Sequence, residues 1–328
     1  MLFVFSLIRV SKSWWGAPHY TVARLAETRL SPEQLKYIND ILETWTSEKA
    51  VFHDTANWHD DIKAANVAIM ANWHFRNQPI FSSDYEGDFS YPTTYNITDA
   101  SKDCINTIMS ETTTSQWILG FCFRTLSHFV ADAHCPVHSA GRWSKAFPDG
   151  DRGGNSQAVV CTYGQPCRNM HMLWDSACLD FQIWPLSKND VDEYEKNLTN
   201  LLNNYQPKTY LPETYQSTDP DVWENEAYRY ASKYVYGNLP DDFTANDTYI
   251  KEGANAAKQL ISAAGYRLGE VLLKFFEARK NSLPQLYEKP KGTWLIVAWV
   301  INGILICVSV VYTVGEIRSI GKNRHHKI

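Results

Sequence analysis

Apolar residues recur at helical spacing along most of the chain, and the alternation expected of strands is scarce. Ser31-Pro32-Glu33 sets a capping hydroxyl before a proline at the first helical position, which predicts a helix through about Thr44. Over residues 114–134, Ile118, Cys122, Leu126 and Phe129 share one face, and Pro136 ends the pattern. Residues 170–181 and 255–280 carry two more helical patterns. Segments 77–99 and 140–168, rich in Ser, Asp, Tyr, Gly and Pro, read as long loops, and long loops within compact domains are usually functional. There is no internal repeat. The expected fold is all-α, with a single compact multi-helix domain over residues 14–280.

Beyond that domain the pattern changes. Residues 281–293 form a linker containing Pro and Lys, and residues 294–314 are uncharged and long enough to cross ~30 Å of hydrocarbon. Trp294 and Tyr312 stand near the two ends of the span, where interfacial aromatics belong. The tail, 315–328, carries Arg318, Lys322, Arg324 and Lys327 and is expected on the cytoplasmic side. A single-pass membrane protein with an extracellular or lumenal domain follows. Residues 1–13 fit a short signal peptide, with an apolar run over 2–8 and the small-x-small triplet Ser11-Lys12-Ser13. Sequons at Asn96, Asn197 and Asn246 are candidate glycosylation sites in an exported chain. Six cysteines precede the span, an even number that predicts disulfides; Cys161 and Cys167 flank a short loop and are the nearest local pair.

Hydrophobic residues make up 44% of the chain, aromatics 13%, and the formal net charge is −5. That balance excludes a basic protein gripping duplex DNA along its backbone. Any chemistry on nucleic acid must rest on metal ions and aromatic rings.

His128-Phe-Val-Ala-Asp132 places an imidazole and a carboxylate four apart on one helical face, a spacing that can hold one cation. His138 follows just past Pro136. His171-Met-Leu-Trp-Asp175 repeats the His-x-x-x-Asp spacing. One such pair is commonly a surface salt bridge; two with His138 form a metal-ligand constellation.

These motifs, with Trp14, His19, Trp58-His-Asp60, His74-Phe75, Gly153-Gly-Asn155 and Ala264-Gly-Tyr-Arg-Leu-Gly-Glu270, resemble the zinc-dependent class I nucleases. That family includes mung bean nuclease and the membrane-anchored 3′-nucleotidase/nucleases of protozoa. The resemblance implies three Zn²⁺ ions. Asp60, His74, His128 and Asp132 would hold the first; His138, His171 and Asp175 the second. The third would take the α-amine and carbonyl of Trp14, with His19 and a bridging Asp132. It implies hydrolysis of single-stranded DNA and RNA to 5′-phosphates, and of 3′-nucleotides to nucleosides, by a metal-activated hydroxide attacking phosphorus. Asp60, Asp132 and Lys63 take catalytic roles in this reading. Lys63 stands where the family often has an arginine and keeps the charge without the bidentate fork. Phe75 is a base-stacking residue or a core residue. Asn77 stands where some members read the base edge. Asn155 orients phosphate or caps the Gly-Gly turn. No protein partner is implied. His53, His59 and His134 match no ligand position, and His134 is expected to be solvated or to stand behind the ligands.

One spacing conflicts with a continuous helix. Asp60 and His74 on one straight helix would lie about 21 Å apart, so the chain must break between about Ala64 and Asn72, although no Gly or Pro lies there. Two alternatives use the same ligands: a zinc-dependent phospholipase C, and an inactive surface receptor of the same fold. The first is disfavoured by His171-x-x-x-Asp175, where that group resembles His-x-x-x-Glu. The second is disfavoured because no ligand is missing.

Overall fold

A computed structural model describes residues 14, 16–46, 49–91, 94–161, 168–181, 191–237, 239–240 and 243–284, all within one compact unit, Met1–Pro284. The expected signal peptide (1–13), Cys167, and the linker, span and tail beyond 284 lie outside the described residues. Among the described residues no helix is long and apolar enough to cross a membrane.

The predicted helical character holds. The helices are α1 (Gly16–Glu27), α2 (Pro32–Leu42), α3 (Trp58–Ala64), α4 (Ile97–Met109), α5 (Gln116–Asp132) and α6 (Pro136–Ser139). They continue with α7 (Met170–Asp175), α8 (Val191–Asn204), α9 (Pro207–Tyr210), α10 (Pro220–Tyr230) and α11 (Asp247–Ala278). Ser31 caps α2 in a capping box with Gln34, and Pro32 opens the helix, as its sequence implied. In α5, Leu119, Phe123, Leu126, Phe129 and Val130 are fully buried. Each such side chain contributes about 1.5–3 kcal/mol relative to exposure. Ile118, expected on that inner face, is instead 41% exposed. α5 runs through the middle of the unit, against α1, α2, α4 and α11. α1 also lies along α11 so closely that a Cβ on Gly265 would stand 2.3 Å from that of Leu25. Only glycine admits that approach.

Three expectations are corrected. The two long loops contain short strands: β1 (Gln78–Phe81) pairs in parallel with β2 (Ala140–Trp143), Gln78 opposite Ala140 and Phe81 opposite Trp143. A second parallel pair joins β3 (Val160–Cys161) to β4 (Thr244–Ala245). The helix expected over 170–181 stops at Asp175, because Ala177, Cys178 and Leu179 all adopt positive φ (50°, 51° and 77°). The last helix starts earlier than its apolar pattern indicated, with the Asn246 side chain accepting the Tyr249 N–H as its cap.

The cysteine expectation is also corrected. Cys104, Cys122, Cys135 and Cys178 are buried free thiols. Cys161 is disulfide-bonded, and Cys167, its expected partner, is not among the described residues.

Candidate metal centre

α5 delivers the central group. Its last residue, Asp132, is fully buried and presents its two oxygens in different directions. Oδ1 lies 3.1 Å from His19 Nε2 of α1. Oδ2 lies 3.0 Å from His74 Nδ1 and 3.1 Å from His128 Nε2, one helical turn back. His74 Nδ1 and His128 Nε2 are themselves 3.1 Å apart. Asp60 Oδ1, from α3, is 3.8 Å from His74 Nδ1. Burying this many lone pairs at one point is costly unless a cation shares them.

The break demanded between Asp60 and His74 is present. α3 ends at Ala64, Asn66 takes a left-handed φ of 66°, and His74 closes a 3₁₀ turn over Ala71–His74. Asparagine tolerates that region better than other non-glycine residues, so the chain reverses without Gly or Pro.

The second group forms where α6 and α7 meet. His171 Nε2 lies 3.2 Å from Asp175 Oδ2, and His138 Nε2 lies 3.7 Å from Asp175 Oδ1. The rings of His138 and His171 stack at 5.1 Å. His138 Nδ1 also approaches Asp132 Oδ1 at 3.5 Å, linking the two groups.

Backbone carbonyls set the ring orientations. His128 Nδ1–H donates to Ala56 O (2.6 Å), His138 Nδ1–H to His74 O (2.7 Å) and His171 Nδ1–H to Gly153 O (2.7 Å). Each bond fixes the tautomer and leaves the Nε2 lone pair facing the centre, the arrangement that imidazole metal ligands use. Gly153 must be glycine: its φ is 62°, and a Cβ there would fall 2.2 Å from Val137 O.

The electrostatics also fit cations. Burial opposes ionisation of Asp132, but His128, by charge and hydrogen bond, and a hydrogen bond from His19 outweigh it and hold the carboxyl well below its usual range. Burial pushes Asp175 well above that range, reinforced by Asp132 and Asp60. Burial lowers His74 to about 4 and His138 to about 3, keeping both imidazoles neutral. Neutral imidazoles and mutually repelling carboxylates form the donor set Zn²⁺ takes. Among the described residues, the ligand-type groups close enough to share an ion are His19–His128–Asp132, Asp60–His74–His128 and Cys135–His138–Asp175. Cys135 was read from the sequence only as a disulfide candidate.

The remaining expected residues fall as follows. Trp14 is buried, and its indole Nε1–H donates to Ala131 O at 2.9 Å, beside Asp132. Lys63 Nζ is 3.9 Å from Asp60 Oδ1. Phe75 is 41% exposed, which corrects its core reading. Asn77 adopts a φ of 56°, and its N–H donates to His138 O. Asn155 donates to Arg152 O across the Gly153–Gly154 turn, consistent with its capping reading. Asn96 and Asn246 are helix caps, and Asn197 lies on α8.

For His134 the solvated reading is corrected. It is wholly buried, its Nδ1–H donates to Val130 O, and its Nε2 accepts from Arg267 at 2.8 Å. Arg267 in turn pairs with Glu226 at 2.6 Å, both of them buried. Sequence reading held Arg267 only as part of the last-helix motif and missed Glu226, because the two lie forty-one residues apart in different helices. His59, also buried, lies 3.1 Å from Thr125 Oγ1 and packs on Phe129.

The chain is similar to Endonuclease 3 of Arabidopsis thaliana, 25% identical over 296 residues that cover 86% of this chain and 95% of that protein. Endonuclease 5 of the same plant is 23% identical over 287 residues, covering 83% and 94%. Endonuclease 4 is 23% identical over 300 residues, covering 85% and 94%. The S1/P1 nuclease family matches residues 14–277, nearly the whole of the compact unit. That span contains every buried carboxylate and imidazole of the centre, and the chain belongs to the S1/P1 nuclease family.

Proposed function

We propose that the chain is a zinc-dependent nuclease and 3′-nucleotidase. It cleaves single-stranded DNA and RNA to 5′-phosphates and 3′-nucleotides to nucleosides. The observation that carries this reading is Asp132, buried with one oxygen on His19 and the other on His74 and His128. A carboxylate placed in this way serves two adjacent ions. In the proposed assignment Asp60, His74, His128 and Asp132 hold one ion and His138, His171 and Asp175 a second. His19, Asp132 and the amine and carbonyl of Trp14 hold a third. Bound zinc would supply Lewis-acid neutralisation of phosphate charge and lower the pKa of water from 15.7 towards about 7.

The chain's own groups do the rest. Lys63 adds a cation next to Asp60, on the side where a phosphate would bind. Phe75, half exposed beside His74, offers a face for a base, which tolerates any sequence and requires an unstacked strand. Asn77 stands two residues further on, at the base edge. Asn155 holds the turn whose Gly153 carbonyl orients His171. Residues 294–314 would tether this domain to a membrane, with Asn96, Asn197 and Asn246 as candidate glycosylation sites.

Assaying the purified protein on 3′-AMP, single-stranded DNA and phosphatidylcholine side by side tests the reading. Turnover of the first two, abolished by chelation and restored by zinc, is the expected result; turnover of phosphatidylcholine alone refutes it. Processing is part of the proposal, because only cleavage after Ser13 gives Trp14 a free amine. Such an amine ordinarily titrates at ~7.7–8.0, so a metal can displace its proton close to neutral pH. Active protein should begin Trp-Trp-Gly-Ala-Pro-His, and a chain retaining residues 1–13 should lose the third ion by elemental analysis.

A further inference from the structure

The geometry points to Cys135 as a thiolate ligand of the ion assigned to His138, His171 and Asp175. This inference rests on the metal-dependent reading above. Cys135 is fully buried, and its Sγ lies 3.8 Å from Asp175 Oδ1. A tetrahedral zinc with bonds of about 2.3 Å to sulfur and about 2.0 Å to oxygen separates those ligand atoms by roughly 3.5 Å. The observed gap therefore closes with a small side-chain adjustment.

A second observation marks the same point as a ligand position. His138 Nε2 is buried without a hydrogen-bond partner, because its Nδ1–H is committed to His74 O. That nitrogen lies 3.7 Å from the same Asp175 oxygen, where tetrahedral zinc would need roughly 3.3 Å. Cys135 Sγ, a His138 ring nitrogen and an Asp175 oxygen all lie within 4.8 Å of one another.

Local structure holds the thiol there. Cys135 N–H donates to Asp132 O, and Cys135 O accepts from the N–H groups of His138 and Ser139. The turn between α5 and α6 thus ties Cys135 to two ligand-bearing residues at once, and Pro136 fixes its exit. On metal binding the S–H bond breaks, the proton passes to solvent, and the sulfur lone pair forms the bond to the ion. A soft donor in this set biases the position towards zinc, cobalt or cadmium and against magnesium, calcium and manganese.

The test is optical and independent of turnover. The full chain, stripped with a chelator and reloaded with Co²⁺, should show a near-ultraviolet sulfur-to-cobalt charge-transfer band. Cys135→Ser should abolish that band while the visible ligand-field bands persist. Cys178→Ser, which changes another buried free thiol, should leave the band in place. A wild-type chain that takes up its full cobalt complement without the band overturns the inference, as does a band that survives Cys135→Ser. A chain that binds no cobalt overturns the metal-dependent reading as well, so the two failures are distinct.

Discussion

Phe75 follows His74 directly, and 41% of its surface is open beside the buried centre. If it stacks a base, Phe75→Ala should weaken nucleotide binding by about 1–3 kcal/mol with metal content unchanged. Michaelis constants on several nucleotides measure this; unchanged values would deny Phe75 a role in binding. Residues of this kind were only partly legible in the sequence. The pairs His128/Asp132 and His171/Asp175 were visible because i,i+4 spacing fixes a shared face whatever surrounds it. Asn66 was not, since its left-handed φ of 66° is set by the need to bring His74 back onto Asp60. Its residue type carried the signal: asparagine enters that region readily. Cys135 was grouped with the other cysteines because its chemistry depends on Asp175, forty residues away.

At the level of elements, α5 and α11 are joined by a polar contact as well as an apolar one. His134, just beyond α5, accepts from Arg267 of α11, which also pairs with Glu226 of α10. His134→Ala would leave a buried guanidinium N–H without its acceptor, at a cost of about 2–3 kcal/mol. Urea unfolding should show that loss, where a solvated histidine would show none. Asp132→Asn, two residues earlier, should instead remove most activity and lower metal content. The same elements show where periodicity fails. β1 and β2 are four residues each and pair across some sixty positions, too short for alternation to register. α7 ends early because three successive residues take positive φ, a feature that Ala177, Cys178 and Leu179 give no reason to expect.

Over the whole molecule, stability should depend on pH through a group outside the ligand set. Glu224 of α10 is fully buried, with Ser139 Oγ 2.6 Å from its carboxylate, and burial pushes its pKa from 4.5 up to about 8. The folded protein therefore retains a proton that the unfolded chain has released between those values, so stability falls as pH rises through that window. Glu224→Gln removes this dependence. The melting temperature of the metal-free variant should exceed that of the wild type at pH 8 and converge with it near pH 4.5. A constant difference across that range would reject the assignment.

The close approach of Leu25 and Gly265 has a consequence for the order of events during synthesis. α1, which carries His19 and follows Trp14, is among the first segments to leave the ribosome, and α11, which covers it, is among the last. Until α11 has emerged, Leu25 lacks the partner at Gly265 and α1 lacks the largest of its packing neighbours. A chain released before residue 247 should fail to protect α1 from hydrogen exchange and should bind less zinc than the complete chain. Nascent polypeptide would then carry no organised centre until α11 has joined α1.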